Sequence, residues 1–220
     1  MPNVFCVLVA DVVQSSALPD LRDVLSSKLR IANMHHLREK LIRLPYAVTA
    51  GDEFQTVTQR LSEVPALIFD LRRRLRPLEL RIGLGFGGVA GRVRPPVNAL
   101  GGQAFQFARH ALEEIKSRTA HKYGVLTAFR STNERFDLVA NLVYGLHDTL
   151  LLGISEKQWE TIAAYIPRNR VDLTAKALKV NVSTASRNLK RGYYWQFADT
   201  IEDMSKIIES HFRAFARKSA

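Results

Sequence analysis

The sequence holds a single cysteine, is short of acidic residues relative to basic ones, and has no apolar run long enough to cross a bilayer. The lone thiol, Cys6, excludes an intramolecular disulfide, and its place within Val4-Phe5-Cys6-Val7-Leu8-Val9-Ala10 marks it as a core residue. That run falls far below the roughly 20 apolar residues of a membrane helix. It follows no basic segment and ends on Asp11, so it reads as neither an anchor nor a secretory signal. A cytoplasmic protein with no membrane association is the expectation. No internal repeat or low-complexity tract is visible.

The acidic deficit is large: 21 Asp and Glu against 32 Lys and Arg, a net charge of +11 and a pI near 10.1. Such a balance favours a polyanionic partner, nucleic acid first, because each phosphate neutralised by Lys or Arg releases condensed counterions. The plainer reading, a basic surface that serves solubility, stands beside it. With 46% hydrophobic and 24% charged residues the chain is of ordinary globular composition. Its 220 residues suit one larger domain and one smaller module.

Residues 4–10 are continuously apolar and rich in β-branched types, as in a strand buried on both faces. Over residues 21–44, Leu21, Val24, Leu25, Leu29, Met34, Leu37, Leu41 and Ile42 recur at helical spacing until Pro45. Residues 46–50 and 54–58 flank a Gly-Asp-Glu tip and predict a hairpin. Residues 62–75 predict a helix capped by Ser62, 80–89 a strand, 103–117 a helix and 124–129 a last strand. This order predicts an α+β, ferredoxin-like palm, with a mostly antiparallel sheet and helices on one face. Beyond residue 134 the pattern is wholly helical, over 134–152, 156–166, 173–179, 182–191 and 195–216. The expected organisation is a palm at 1–132, a connector helix at 133–154 and an all-α module at 155–220.

Asp11 ends the first strand and Asp52 lies on the hairpin tip, so two carboxylates can meet at adjacent strand ends. Such a pair suits Mg²⁺, a hard cation that keeps positions for water and phosphates. Glu53 could add a ligand or help deprotonate a ribose hydroxyl, although Gly and Asp also favour turns for conformational reasons alone.

Three separated segments resemble the class III nucleotidyl cyclases and the diguanylate cyclases. They are Val9-Ala10-Asp11-Val12-Val13-Gln14-Ser15-Ser16, the tip Ala50-Gly51-Asp52-Glu53-Phe54, which has alanine for the first glycine of a Gly-Gly-Asp-Glu-Phe signature, and Leu80-Arg81-Ile82-Gly83-Leu84-Gly85 with Gly88. Gly101-Gly102 through Arg109 resembles the glycine-led helix that follows. Taken whole, the chain resembles the SatD family, in which these motifs precede a C-terminal helix-turn-helix. The resemblance implies that Asp11, Asp52 and the Val12 carbonyl bind Mg²⁺ or Mn²⁺. It further implies that Val13, Gln14, Ser15, Ser16 and Gly51 face the phosphates of a nucleoside triphosphate, that Glu53 and Arg109 serve catalysis, and that the protein is a homodimer.

Departures from the cyclase pattern are specific. Phe105 stands four residues before Arg109, where those enzymes carry Asn, leaving Gln106 as the nearest amide, and the base-selecting lysine before the tip is replaced by Val48 and Thr49. Gly83, Gly85 and Gly88 also match a dinucleotide fingerprint, but they lie inside strand-like sequence, where glycine lets a ligand or another backbone approach.

In residues 173–192, Ala175, Leu178, Val180, Ala185 and Leu189 fit two short helices about a tight turn, with Asn181 as cap, Gly192 as stop and Lys179 where glycine is common. This arrangement leaves Ser183, Thr184, Ser186, Arg187, Asn188, Lys190 and Arg191 for DNA, with Arg187 and Asn188 on base edges and Lys190 and Arg191 on phosphates. A plain helical packing module is the alternative. His35 and His36 predict a helix-face role, Arg72, Arg73, Arg74 and Arg76 a solvated helix end, and Tyr193, Tyr194 and Trp195 core packing. Three functions remain open: a DNA-binding regulator with a metal-nucleotide palm, an active nucleotidyl cyclase or cyclic-oligonucleotide synthase, and a palm that serves only as a dimerisation scaffold.

Overall fold

A computed structural model describes residues 4–117 and 124–216. The eight residues of β1 (Phe5–Val12) are all buried, as their unbroken apolar character requires. Cys6, Leu8, Ala10 and Val12 enter the core on one sheet face, and Phe5, Val7 and Val9 the core on the other. Around β1 lie β2 (Ala47–Ala50), β3 (Glu53–Thr58), β4 (Leu80–Gly87) and β5 (Thr127–Arg130), in the order β2-β3-β1-β4-β5. All pairings are antiparallel except β4 with β5. The order β4-β1-β3-β2, with helices after β1 and β3, is the expected ferredoxin-like palm, and β5 extends it.

One expectation is corrected, because helices cover both faces. α1 (Leu21–Arg38) and α2 (Val64–Leu75) lie on the first face, and α3 (Gln103–Lys116) lies on the second. The reason is a lane of glycines in β4. A Cβ on Gly85 would sit 2.1 Å from the Ala104 carbonyl oxygen and 2.4 Å from the Ala108 nitrogen, and one on Gly83 would sit 2.3 Å from the Ala108 oxygen. Here glycine admits another backbone, that of α3, which meets the lane with Ala104, Ala108 and Leu112.

Two helix ends also differ from expectation. α1 stops at Arg38, not residue 44: Lys40 takes a positive φ, and the Leu41 N–H donates to the His36 carbonyl at 2.8 Å. The break lets Ile42 and Leu44 enter cores on opposite sheet faces, which one continuous helix could not arrange. Ser62 lies in a 3₁₀ turn (Leu61–Glu63) and makes no cap; α2 starts at Val64 with Pro65 in its first turn, where a missing N–H costs nothing.

The β5 edge is closed by α4 (Glu134–Leu152). Asp148 accepts from the Leu126 N–H at 2.8 Å, Asn141 from the Phe129 N–H at 2.7 Å, and Asp137 from the Ser131 N–H at 2.9 Å. An exposed strand edge invites pairing with another chain, and these side chains use up its donors. Arg72, expected in solvent, is instead buried behind this edge. It donates to the carbonyls of Leu80 at 2.6 Å and Leu126 at 3.0 Å and to Thr127 Oγ1 at 2.8 Å, with Asp148 3.9 Å away.

His36 is likewise buried, on the inner face of α1 rather than at the surface. Its ring bridges Tyr46 Oη at 2.8 Å and Asp70 Oδ2 at 2.9 Å, and Asp70 also accepts from Arg73 and Arg74. Burial alone would raise the Asp70 pKa, but the hydrogen bonds from His36, Arg74 and Arg73 outweigh it and hold the carboxyl well below its ordinary range. Because the folded value lies below the unfolded one, this contribution is full above about pH 4 and is lost as pH falls further. Asp70→Asn should therefore lower stability at neutral pH by about 1–3 kcal/mol and flatten the acid limb of a stability–pH profile. An unchanged limb would contradict the network's role.

The remaining helices are α5 (Glu156–Tyr165), α6 (Val171–Leu178), α7 (Val182–Arg191) and α8 (Tyr194–Ala216), close to the expected ranges. They do not pack apart from the palm. Trp159, Ile162, Leu189 and Phe197 share a core with Val13, Phe69 and Leu126, and Met204, Ile208 and Phe212 of α8 enter the core of the first sheet face. Tyr194 and Trp195 pack on Tyr165, with Trp195 still half exposed. Among the described residues no single helix is long and apolar enough to cross a membrane.

Candidate functional site

Strand alternation turns Asp11 to the α3 face, and Ala10 opposes Phe54, so Glu53 is the hairpin residue brought alongside. Asp11 is only 4% exposed. Its Oδ2 lies 2.9 Å from Lys116 Nζ, at the end of α3, and 3.2 Å from Nη1 of Arg81, its register partner on β4. Lys116 reaches 3.8 Å from Glu53 Oε2, while Thr49 Oγ1 donates to Glu53 Oε1 at 3.0 Å. The cluster is thus self-neutralised by two carboxylates and two cations, yet Asp11 Oδ1 is buried with no hydrogen-bond partner. A buried, unsatisfied carboxylate oxygen fits a missing cation or donor.

Asp52 lies on the turn, half exposed, after Gly51 at φ 56°. The glycine serves that backbone conformation alone, since an added Cβ would meet nothing within 4 Å. Among the described residues no group of three or more His, Cys, Asp or Glu could hold a metal. Any ion here would rest on Asp11 with Glu53 or Asp52, and otherwise on phosphates and water, which is how Mg²⁺ is commonly held.

Val12 ends β1 opposite Leu80, with its side chain in the core. Val13 is corrected out of the phosphate loop: its side chain is in the core shared with Phe69 and Trp159, and its N–H donates to the Glu79 carbonyl at 2.8 Å. Gln14, in a left-handed conformation, and Ser16 are exposed, and Ser15 is half-buried in the following 3₁₀ turn. Gln106 and Arg109 are exposed on the outer side of α3, whereas Phe105 faces the sheet core, which explains the apolar residue there. Arg109 lies seven residues before Lys116, about two turns and 10 Å along the helix axis from the residue that contacts Asp11.

Sequence reasoning missed Lys116 and Arg81. A signal existed for the second, a charged residue inside an apolar strand; Lys116 shows itself only once α3 is laid on the sheet.

In the helical module, α6 and α7 are joined through Lys179, Val180 and Asn181, with Lys179 at φ 55°, the left-handed conformation that glycine adopts most easily. Asn181 stands at the cap position, but its side chain makes no cap hydrogen bond. Ser183, Ser186, Arg187, Lys190 and Arg191 are exposed and Thr184 is half-buried, while Ala185 and Leu189 anchor the inner side. Asn188 is turned inward, contrary to the expected base contact: its Nδ2 donates to Thr161 Oγ1 at 3.1 Å and ties α7 to α5.

Comparison with known proteins places these features in context. The model of the SatD family matches residues 5–189. Among solved structures, a bacterial light-regulated adenylyl cyclase is similar at 15% identity and a TM-score of 0.40, over 57% of this chain and 42% of that one, so the similarity spans less than half of the cyclase. The regulator of polyketide synthase expression from Bifidobacterium adolescentis is similar at 15% identity and a TM-score of 0.27, over 99% and 86% of the two chains. No curated protein matches the sequence.

Proposed function

The chain belongs to the SatD family, and from that premise we propose that it is a cytoplasmic, homodimeric DNA-binding regulator whose palm takes a Mg²⁺- or Mn²⁺-nucleotide at the Asp11 end of β1. The observation that carries the nucleotide half is the buried Asp11 carboxylate, with one oxygen unpartnered and the other held by Lys116 and Arg81. In this reading a divalent cation displaces Lys116. Asp11, Glu53 and Asp52 supply carboxylate oxygens, and the exposed turn at Gln14, Ser15 and Ser16 faces the phosphates. The metal would neutralise phosphate charge and draw the nucleotide to the sheet end. Binding is favoured over turnover, because Phe105 stands where the cyclases carry Asn and Val48 and Thr49 replace the base-selecting lysine.

The DNA half rests on α7, the second helix of a helix-turn-helix, whose exposed side carries Ser183, Ser186, Arg187, Lys190 and Arg191 without an acidic residue. Dimerisation is supported by α4, whose outer side exposes Leu138, Leu142 and Leu146 by 71%, 66% and 66%, although its inner side is packed. A helix apolar on both sides is ordinarily covered on both.

Fluorescence anisotropy with genomic fragments across a salt series tests the DNA half. Arg187→Ala should cost about 1–3 kcal/mol on a preferred sequence, and Asn188→Ala should act chiefly through stability. Equal binding by wild type and Arg187→Ala would sink the assigned face. Incubation with each nucleoside triphosphate and Mn²⁺, followed by mass spectrometry, tests the enzymatic alternative: a cyclic product lost in Asp52→Asn would make the protein a cyclase.

A further inference from the structure

At the opposite end of β1 from Asp11, a hollow of about 460 Å³ opens between the start of that strand, the segment before β2 and the loop after β4. Asp11 is six residues from Phe5 along β1, about 20 Å at strand rise, so this hollow is separate from the metal-nucleotide site. It is lined by the apolar residues Phe5, Val89 and Val93 together with Gln59 and three arginines, Arg43, Arg92 and Arg94. No acidic residue lines it. Among the described residues none of these three guanidinium groups has a carboxylate partner, whereas neighbouring Arg60 is paired with Glu63 at 2.9 Å.

Three arginines without carboxylate partners line one hollow. An anion seated among them would be attracted and can be held by forked N–H donors. The volume falls within the range of small-molecule sites, and a lining that combines Phe5, Val89 and Val93 with three arginines suits a ligand with a flat organic part and a phosphate tail. We propose that this hollow is a second, metal-independent site for a compact phosphorylated ligand of mononucleotide size. Arg43, Arg92 and Arg94 grip the phosphates and Phe5 and Val93 back the organic portion. The loop Gly88–Gly102 supplies two of the arginines and joins β4 to α3, so occupancy would be felt at the helix that ends in Lys116.

The test is calorimetry on the full chain in EDTA, with pyrophosphate, ADP and adenosine as separate titrants. Pyrophosphate and ADP should bind, with affinity falling as salt rises, and adenosine should not. Arg92→Ala combined with Arg94→Ala should weaken ADP by at least about tenfold with the melting temperature unchanged, and Asp11→Asn should leave ADP binding intact. The proposal is overturned if neither phosphate binds in EDTA, if the arginine variant binds as wild type does, or if Asp11→Asn abolishes the binding. It is also overturned if duplex DNA alone, and neither small phosphate, depends on Arg92 and Arg94. Failure here leaves the metal-dependent reading at Asp11 standing, since that reading is tested with a divalent cation present.

Discussion

Asp148→Ala should lower the unfolding free energy by about 3–5 kcal/mol, the usual consequence of leaving a buried charge without its partner. Asp148 is wholly buried, with His147 Nδ1 3.2 Å from its Oδ1, and does three further things at once. It accepts from the Leu126 N–H at 2.8 Å and from Thr127 Oγ1 at 3.1 Å, and it lies 3.9 Å from the buried guanidinium of Arg72. Burial lowers the Arg72 pKa, with Asp148 opposing that shift, and Arg72 Nε already lacks a partner. Without the carboxylate, Arg72 remains charged in a dry site and the end of β5 loses an acceptor. Urea denaturation measures the effect. The pair change Arg72→Met with Asp148→Leu should cost less than Asp148→Ala alone, since no charge is then stranded. A loss under about 1 kcal/mol for Asp148→Ala, the scale of an exposed ion pair, would contradict this account of the sheet edge.

Gly85→Val should be comparably damaging for a steric reason. A Cβ at this position would meet backbone atoms of α3 at 2.1 and 2.4 Å. Rotamer changes cannot relieve a clash with backbone, so α3 must lift off the strand. Overpacking in cores commonly costs about 1–3 kcal/mol, and the valine should reach or pass the top of that range. Gly88→Ala, where an added Cβ meets nothing within 4 Å, is the control and should be nearly silent. Because α3 carries Lys116, Gly85→Val should also loosen the Asp11 end of the sheet. Equal thermal stability of Gly85→Val and Gly88→Ala would refute close helix–strand contact as the reason for the glycine lane.

Much of the fold was legible because hydrophobic periodicity is local. The apolar run at residues 4–10 suits a strand buried on both sides, and five helices beyond residue 134 announce themselves by spacing. What stayed hidden depends on distant partners. Arg72 reads as one of four helix-terminal arginines until Asp148, seventy-six positions later, is brought against it. Glycines in β4 could have faced a ligand or a backbone, and only the seating of α3 decides between them. At the acidic site the sequence named Asp11, Asp52 and Glu53, but not the Lys116 ammonium that bridges Asp11 and Glu53. Val13 and Asn188 were assigned to ligands from their neighbourhood in sequence, while tertiary packing turns both inward.

The central claim is that the Asp11 end of β1 takes a metal-nucleotide in place of Lys116. Calorimetric titration of Mn²⁺ in the presence of ATP tests it most directly, comparing wild type, Asp11→Asn and Lys116→Met. Wild type should bind, Asp11→Asn should not, and Lys116→Met should bind about tenfold more tightly, equivalent to roughly 1.4 kcal/mol of removed competition. Equal Mn²⁺ affinity in wild type and Asp11→Asn, or no Mn²⁺-dependent binding in any of the three, would contradict it.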